Sequence, residues 1–198
     1  MLEYENKYLN LGYKLIAGID EAGRGPLAGP VCVASVIMPL EPENIIDGVN
    51  DSKKLSEKKR DILFDKIIEK AISYHVEFVS EKVIDEINIL NATKLGMKNC
   101  INGLSVKPQV VLIDAVKIES DVLTESIIKG DALSYSIACA SILAKVSRDR
   151  LMLELDKKYP NYNFKKHKGY GTKEHIQNLK TFGACEIHRT TFIKNFKD

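Results

Sequence analysis

The stretch Gly18-Ile19-Asp20-Glu21-Ala22-Gly23-Arg24-Gly25-Pro26 joins two apolar runs, Leu15-Ile16-Ala17-Gly18-Ile19 and Val31-Cys32-Val33-Ala34-Ser35-Val36-Ile37-Met38. The runs are rich in Val and Ile, which predicts strands over 14–20 and 30–38 with a tight turn between them. A buried strand that ends on two carboxylates is costly unless their charge is balanced. A divalent cation is the usual partner of an oxygen-only cluster. Glycines on both sides of Arg24 open the backbone to close approach by a ligand, and the guanidinium suits phosphate. Together these residues point to metal-dependent chemistry on a phosphate ester.

Pro39, Pro42, Gly48 and Asn50 mark a loop after the second strand. Ser56 is the expected N-cap of a helix in which Ile62, Leu63, Ile67, Ile68, Ala71 and Ile72 recur at helical spacing. A third strand is predicted from Tyr74 to Val79. Helix follows over 81–104, with a break near Asn88 and an end at Gly103. Val110–Ile113 reads as a short buried strand ending in Asp114, and Thr124 to Ile128 as another. A long helix runs from Ser134 to about Tyr159. Its first half is apolar or small on every face, so it should lie buried against a sheet. A short helix is expected over Lys173 to Thr181. The expected fold class is α/β, a mixed β-sheet flanked by helices with a C-terminal helical extension. The expected boundaries within this single domain are 14–155 for the core and 156–198 for the extension.

With 44% apolar and 28% charged residues, the 198-residue chain is globular and fits one domain. No apolar stretch reaches the ~20 residues that cross a bilayer. The acidic N-terminus carries no signal-type apolar block, which predicts a cytoplasmic protein. Cys32, Cys100, Cys139 and Cys185 form no Cys-x-x-Cys pair and read as four buried thiols. The net charge of +2 is uneven. Residues 156–198 hold ten Lys or Arg against four Asp or Glu, and residues 1–155 hold 19 against 23. A basic tail on an acidic body suits a polyanion, though a solvated Lys-rich helix gives the same count.

Asp20-Glu21 and Asp114 each end an apolar strand, and Asp131 precedes the long helix. Sites in α/β sheets gather at the carboxyl ends of strands, so these acids are expected to converge on one cleft. Two Mg²⁺ ions about 3.5–4 Å apart suit phosphodiester cleavage. Taken singly, Asp131 fits a helix N-cap and Asp114 a strand-end turn. The chain has no Walker loop, G-x-G-x-x-G fingerprint, G-x-S-x-G elbow or H-E-x-x-H pair. His75, His167, His175 and His188 show no ligand spacing.

The block from Gly18 to Pro26 resembles the signature of the type 2 ribonucleases H, specifically the bacterial ribonuclease HII family. The resemblance continues through Asn50-Asp51-Ser52-Lys53-Lys54-Leu55-Ser56, Asn88 to Thr93, Val111 to Asp114 and Lys129-Gly130-Asp131. It closes with Ala138 to Arg150 and His167-Lys168-Gly169-Tyr170-Gly171-Thr172. The position after Asp114 is often Gly in that family and is Ala115 here. The sister family, ribonuclease HIII, typically has Lys in place of Arg24 and a long N-terminal extension; about a dozen residues precede the first strand here.

The resemblance implies a ribonuclease H-like fold in which Asp20, Glu21, Asp114 and Asp131 are catalytic and bind Mg²⁺ or Mn²⁺, two ions in all. It implies that Gly23, Arg24 and Gly25 contact the ribose 2′-OH and nearby phosphates, and that Tyr170 packs on the adjacent sugar. Lys53 and Lys54 are the expected phosphate contacts. The implied activity cuts RNA in RNA–DNA hybrids, and cuts 5′ of single ribonucleotides in duplex DNA, leaving a 3′-hydroxyl and a 5′-phosphate. That incision initiates ribonucleotide excision. The expected state is a monomer with no membrane partner, and no clamp-binding peptide is evident for a sliding clamp. Two alternatives share the fold: a non-catalytic hybrid-binding protein and a branched-DNA nuclease.

Overall fold

A computed structural model describes residues 1–196. Five strands form one mixed sheet in the order β3-β2-β1-β4-β5: β1 Ile16–Ala22, β2 Val31–Ile37, β3 Ser73–Val79, β4 Val110–Asp114 and β5 Leu123–Ile127. β1 pairs antiparallel with β2 and parallel with β4; β2–β3 is antiparallel and β4–β5 parallel. The long helix is α6, Tyr135–Lys158, capped by the Ser134 hydroxyl, which accepts from the Ile137 N–H. It lies across β1 and β2 as its small residues foretell. Gly18 is where the two backbones meet: a Cβ there would sit 2.0 Å from the Ser136 carbonyl carbon.

The helix α2, Glu57–Lys70, packs beside α6 and is capped by Ser56. Its buried face is Leu63, Phe64 and Ile67; Ile62, expected inside, is 48% exposed. The opposite sheet face is covered by α4, Ile89–Gly103, which follows α3, Glu81–Ile87, after a break at Asn88. Asn88 itself adopts φ +66 and its side chain caps α4. A short helix, α5, spans Gly130–Leu133 and leads into α6.

An N-terminal helix, α1 Glu3–Asn10, was not expected from the sequence. Its Glu5 is fully buried, and one carboxylate oxygen accepts from the Ser134 hydroxyl (2.6 Å) and the Ser136 N–H (2.9 Å). The carboxylate thereby satisfies the start of α6, where anions are favoured.

Two further helices follow α6: α7, Phe164–His167, and α8, Lys173–Phe182. The expected helix over 173–181 is α8. Of the cysteines, three are buried and Cys185 is only half-buried; none is disulfide-bonded. His167 is buried and lies in α7. Its ring stacks on that of His175 at a centroid distance of 4.5 Å.

Acceptors fix the tautomers of these imidazoles. His175 Nδ1–H donates to the Tyr170 carbonyl (2.9 Å), so its Nε2 accepts from His188 Nε2–H (3.1 Å), and His188 Nδ1 accepts from the Cys185 N–H. Burial pushes His167 and His175 below the usual imidazole range. Their contribution to stability is therefore present above about pH 6.5, the unfolded value, and is lost as pH falls through the lower folded values. Buried carboxyls act in the opposite sense. The imidazole effect is accordingly read as the difference in melting-temperature slope between wild type and His175→Asn, over about pH 7.5 to 5. Wild type should lose stability faster on acidification, and parallel slopes would show that His175 is not held neutral.

Candidate active site

Strand β1 runs two residues past its expected end, so Asp20 and Glu21 lie within it. Alternation along the strand separates them. Ala17 and Ile19 face α4 in the core, whereas Gly18 faces α6; Asp20 follows Gly18 and Glu21 follows Ile19. Asp114 closes β4 and accepts from the Gly130 N–H at 2.6 Å, which fixes the start of α5 relative to the sheet. Ala115, just beyond, adopts φ +51. That left-handed backbone favours Gly, which is what the family commonly has there. Asp131 is in α5 and caps no helix; the residue at that N-cap is Lys129.

Carboxylate oxygens of Asp20, Asp114 and Asp131 all lie within 4.8 Å of one another. Asp20 is 4% exposed and Asp131 6%. Burial first, then the charges of Glu21 and Asp114, hold Asp20 well above the usual carboxyl range. Burial likewise raises Glu21 and Asp114. Glu21 stands outside the triad. Its Oε1 pairs with Arg24 Nη1 at 3.4 Å, while its buried Oε2 has no hydrogen-bond partner.

Lys53 Nζ lies 3.4 Å from Asp131 Oδ2. Burial alone would lower this lysine, but Asp131 and Asp20 outweigh it and raise its affinity for the proton. Arg60 places it by donating to the Ser52 and Leu55 carbonyls (2.9 and 2.6 Å) across the turn Ser52–Lys54. Lys54 points elsewhere, 4.0 Å from Asp51. One ammonium beside three clustered carboxylates leaves negative charge uncompensated. With an orphaned Glu21 oxygen at the edge, this all-oxygen set fits a divalent cation.

A cleft of about 290 Å³ opens beside the acids, lined by Glu21, the Gly23-Arg24-Gly25 turn, Lys53 and Tyr170 among others. Gly25 lies against Tyr170: a Cβ on it would sit 3.6 Å from the ring's Cε1. The ring is 45% exposed and free to receive a ligand. A larger groove of about 630 Å³, between α4 and the 119–122 loop, holds none of these acids.

Sequence inspection missed four residues that shape the cleft. Ser52 and Ser141 bond each other at 2.9 Å, and Ser141 works against the burial that raises the Asp20 pKa. Lys145 and Arg148 line the wall. Ser141, Lys145 and Arg148 recur at i, i+4 and i+7 on α6, one polar stripe of the helix, and that spacing was visible in the sequence. Of the tail lysines, Lys165 and Lys166 are paired with Asp156 (3.9 Å) and Glu174 (2.7 Å), so part of the basic excess is internally answered.

The family model for ribonuclease HII matches residues 17–195. The chain belongs to the ribonuclease HII family. A ribonuclease HII of Caldicellulosiruptor bescii is 60% identical over 194 residues, covering 98% of this chain and 93% of that one. The crystal structure of ribonuclease H2 from Pyrococcus horikoshii superposes with a TM-score of 0.79 at 29% identity, covering 92% and 96% of the two chains. The structure of the PCNA:RNase HII complex from Archaeoglobus fulgidus gives the same TM-score at 27% identity, covering 93% and 97%. The expected ribonuclease H-like fold, mixed sheet and flanking helices are those of ribonuclease HII structures. Ribonuclease HII is a ribonuclease H, an endonuclease acting on RNA–DNA hybrids, and the chain is an enzyme of that class.

Proposed function

We propose that this ribonuclease HII incises RNA–DNA hybrids and also cuts 5′ of a single ribonucleotide in duplex DNA, leaving a 3′-hydroxyl and a 5′-phosphate and so initiating ribonucleotide excision. One observation carries this: three clustered carboxylates stand beside a cleft whose wall joins the Gly-Arg-Gly turn to Tyr170. Asp20, Asp114, Asp131 and Glu21 are the residues that would hold Mg²⁺ or Mn²⁺, two ions in all. Such ions supply Lewis-acid stabilisation of charge on the scissile phosphate. The protein does the rest. Lys53 and Arg24 draw the phosphate backbone toward the acids, and the two glycines leave room for a ribose at the turn. The Tyr170 ring offers a flat apolar surface to the next sugar. Lys54, exposed and turned to Asp51, is proposed only as a contact to more distant phosphates.

All of these groups come from one chain, which supports action as a monomer. Free cysteines, and the lack among the described residues of any helix long and apolar enough to cross a membrane, support a cytoplasmic location. PCNA is the partner of the Archaeoglobus fulgidus relative and is not part of this proposal.

The test compares incision of a duplex with one ribonucleotide, a long hybrid and an all-DNA control. A 2′-O-methyl group on the single ribonucleotide should block cutting, because it removes the hydroxyl proton and puts a methyl where the amides of the turn would bond the oxygen. Base–aromatic stacking is worth ~1–3 kcal/mol, and stacking on a sugar falls near the low end. Tyr170→Ala should therefore cut the single ribonucleotide roughly tenfold more slowly, with a smaller loss on a long hybrid that offers many registers. Equal losses on both would make Tyr170 a generic contact.

A further inference from the structure

Two arginines are almost wholly buried, Arg148 at 1% and Arg189 at 0% exposure, and neither forms an ion pair with a carboxylate among the described residues. Every hydrogen bond they donate goes to a backbone carbonyl. Arg189 reaches Gly29 through Nε (2.9 Å), Arg24 through Nη1 (2.8 Å) and Gly23 through Nη2 (2.6 Å). Arg148 reaches Pro30 (3.0 Å), Ala28 (3.1 Å) and Lys168 (2.9 Å). Burying unpaired cations is expensive: burial first, and then the charge of Arg148, bring Arg189 down to about 9. Stability alone would be better served by apolar side chains at both places.

The acceptors explain the arrangement. A trans peptide is planar, with its C=O and N–H pointing opposite ways. Drawing the Gly23 and Arg24 carbonyls inward onto one guanidinium turns the N–H groups of Arg24 and Gly25 outward. Among the described residues no protein acceptor takes either proton. The buried charge also polarises both peptides, which strengthens the donors on their far side. Gly23 is what allows the close approach. It adopts φ +94, and a Cβ there would lie 2.0 Å from Arg148 Nε. Arg148 then ties this turn to the Tyr170 loop by donating to Ala28 on one side and Lys168 on the other. The Leu27 N–H adds a third link to the Gly169 carbonyl at 2.8 Å.

We propose that Arg189 is a positioning residue for ribonucleotide recognition, aiming the Arg24 and Gly25 amides at the 2′-hydroxyl, and that Arg148 holds Tyr170 in register with them. The assignment rests on the proposed role of the Gly-Arg-Gly turn and adds the residues that set it. Lysine in place of Arg189 keeps the charge but cannot fork across three carbonyls.

Binding is measured in Ca²⁺ for two duplexes identical except for one ribonucleotide. Arg189→Lys should reduce the preference for the ribonucleotide duplex roughly fivefold, about the weight of one net hydrogen bond, while all-DNA affinity holds. Equal loss on both duplexes, or an unchanged preference, overturns the assignment. A wild type with no preference overturns the role of the turn and this assignment with it. A wild-type measurement stands in if the variant does not fold. Nitrogen-15 resonances of the Arg189 guanidinium should differ between the ribonucleotide and all-DNA complexes, and identical positions in both overturn the proposal.

Discussion

Asp20→Asn and Asp131→Asn should each lower incision by at least about a thousandfold, because a lost carboxylate removes several kcal/mol of transition-state charge stabilisation. Duplex binding should survive, since phosphate contacts supply most of the affinity. Mg²⁺ or Mn²⁺ should support turnover and EDTA should stop it. Ca²⁺ should bind without replacing them, because its looser coordination does not hold the attacking and leaving oxygens in line. Full activity in EDTA would end the metal-dependent account. The folded protein supplies an internal control. Burial and two neighbouring acids raise the Asp20 pKa, so at neutral pH its charge opposes folding when no cation is present. Asp20→Asn should therefore melt no lower than wild type in a divalent-free buffer. The Asn oxygen can still accept from the Glu21 N–H, which now donates to Asp20 at 2.7 Å. A large fall in melting temperature would mean that the variant lost its fold as well as its charge.

Gly18→Ala should be the most damaging single-methyl change in the sheet. The added carbon would lie 2.0 Å from the Ser136 carbonyl carbon, 2.2 Å from its oxygen and 2.4 Å from the Ile137 nitrogen. All three are backbone atoms at the start of α6, where no side chain can rotate away. Overpacking costs typically 1–3 kcal/mol and here belongs at or above about 3 kcal/mol. For a chain of this size that is a fall of about 6–12 °C in melting temperature. Gly183→Ala is the comparison: φ is +75 and ψ −174, a glycine-favouring backbone, but nothing lies within 4 Å of the new carbon, so only backbone strain of about 1–3 kcal/mol applies. A Gly18→Ala protein that melts with the Gly183→Ala protein would show that α6 can back away from β1. Because α6 also carries Ser141 behind Asp20 and Lys145 and Arg148 in the cleft wall, any such shift should depress incision as well.

Local pattern carried most of the architecture. The Val/Ile runs, the Ser56 cap, the break at Asn88 and the small-residue face of α6 are each short-range signals, and each corresponds to an element of the fold. Boundaries were less legible. The acids looked like the end of β1, yet pairing with β2 carries the strand on to Ala22. Ile62 matched the helical period but faces solvent, while Phe64 is buried, because the position of α6 decides which stripe of α2 is covered. The helix α1 is short and owes its place to Glu5 bonding residues about 130 positions away.

Residue types and their order establish which chemistry is on offer: four acids at strand or helix ends, a glycine-flanked arginine, an aromatic residue between two glycines, and a family-wide order of motifs. Residue type and spacing are enough for that, since they are properties of the chain. Which of these groups meet is settled by the folded chain. It gathered Asp20, Asp114 and Asp131 within 4.8 Å and left Glu21 at the edge of that group, paired with Arg24. It brought Lys53 to the acids but turned Lys54 to Asp51, and laid Tyr170 on Gly25. It also hid two arginines behind the turn, bonded to carbonyls more than a hundred residues distant. Contacts over such separations depend on strand order and on where a buried helix crosses a glycine, and neither is written in any local stretch of sequence.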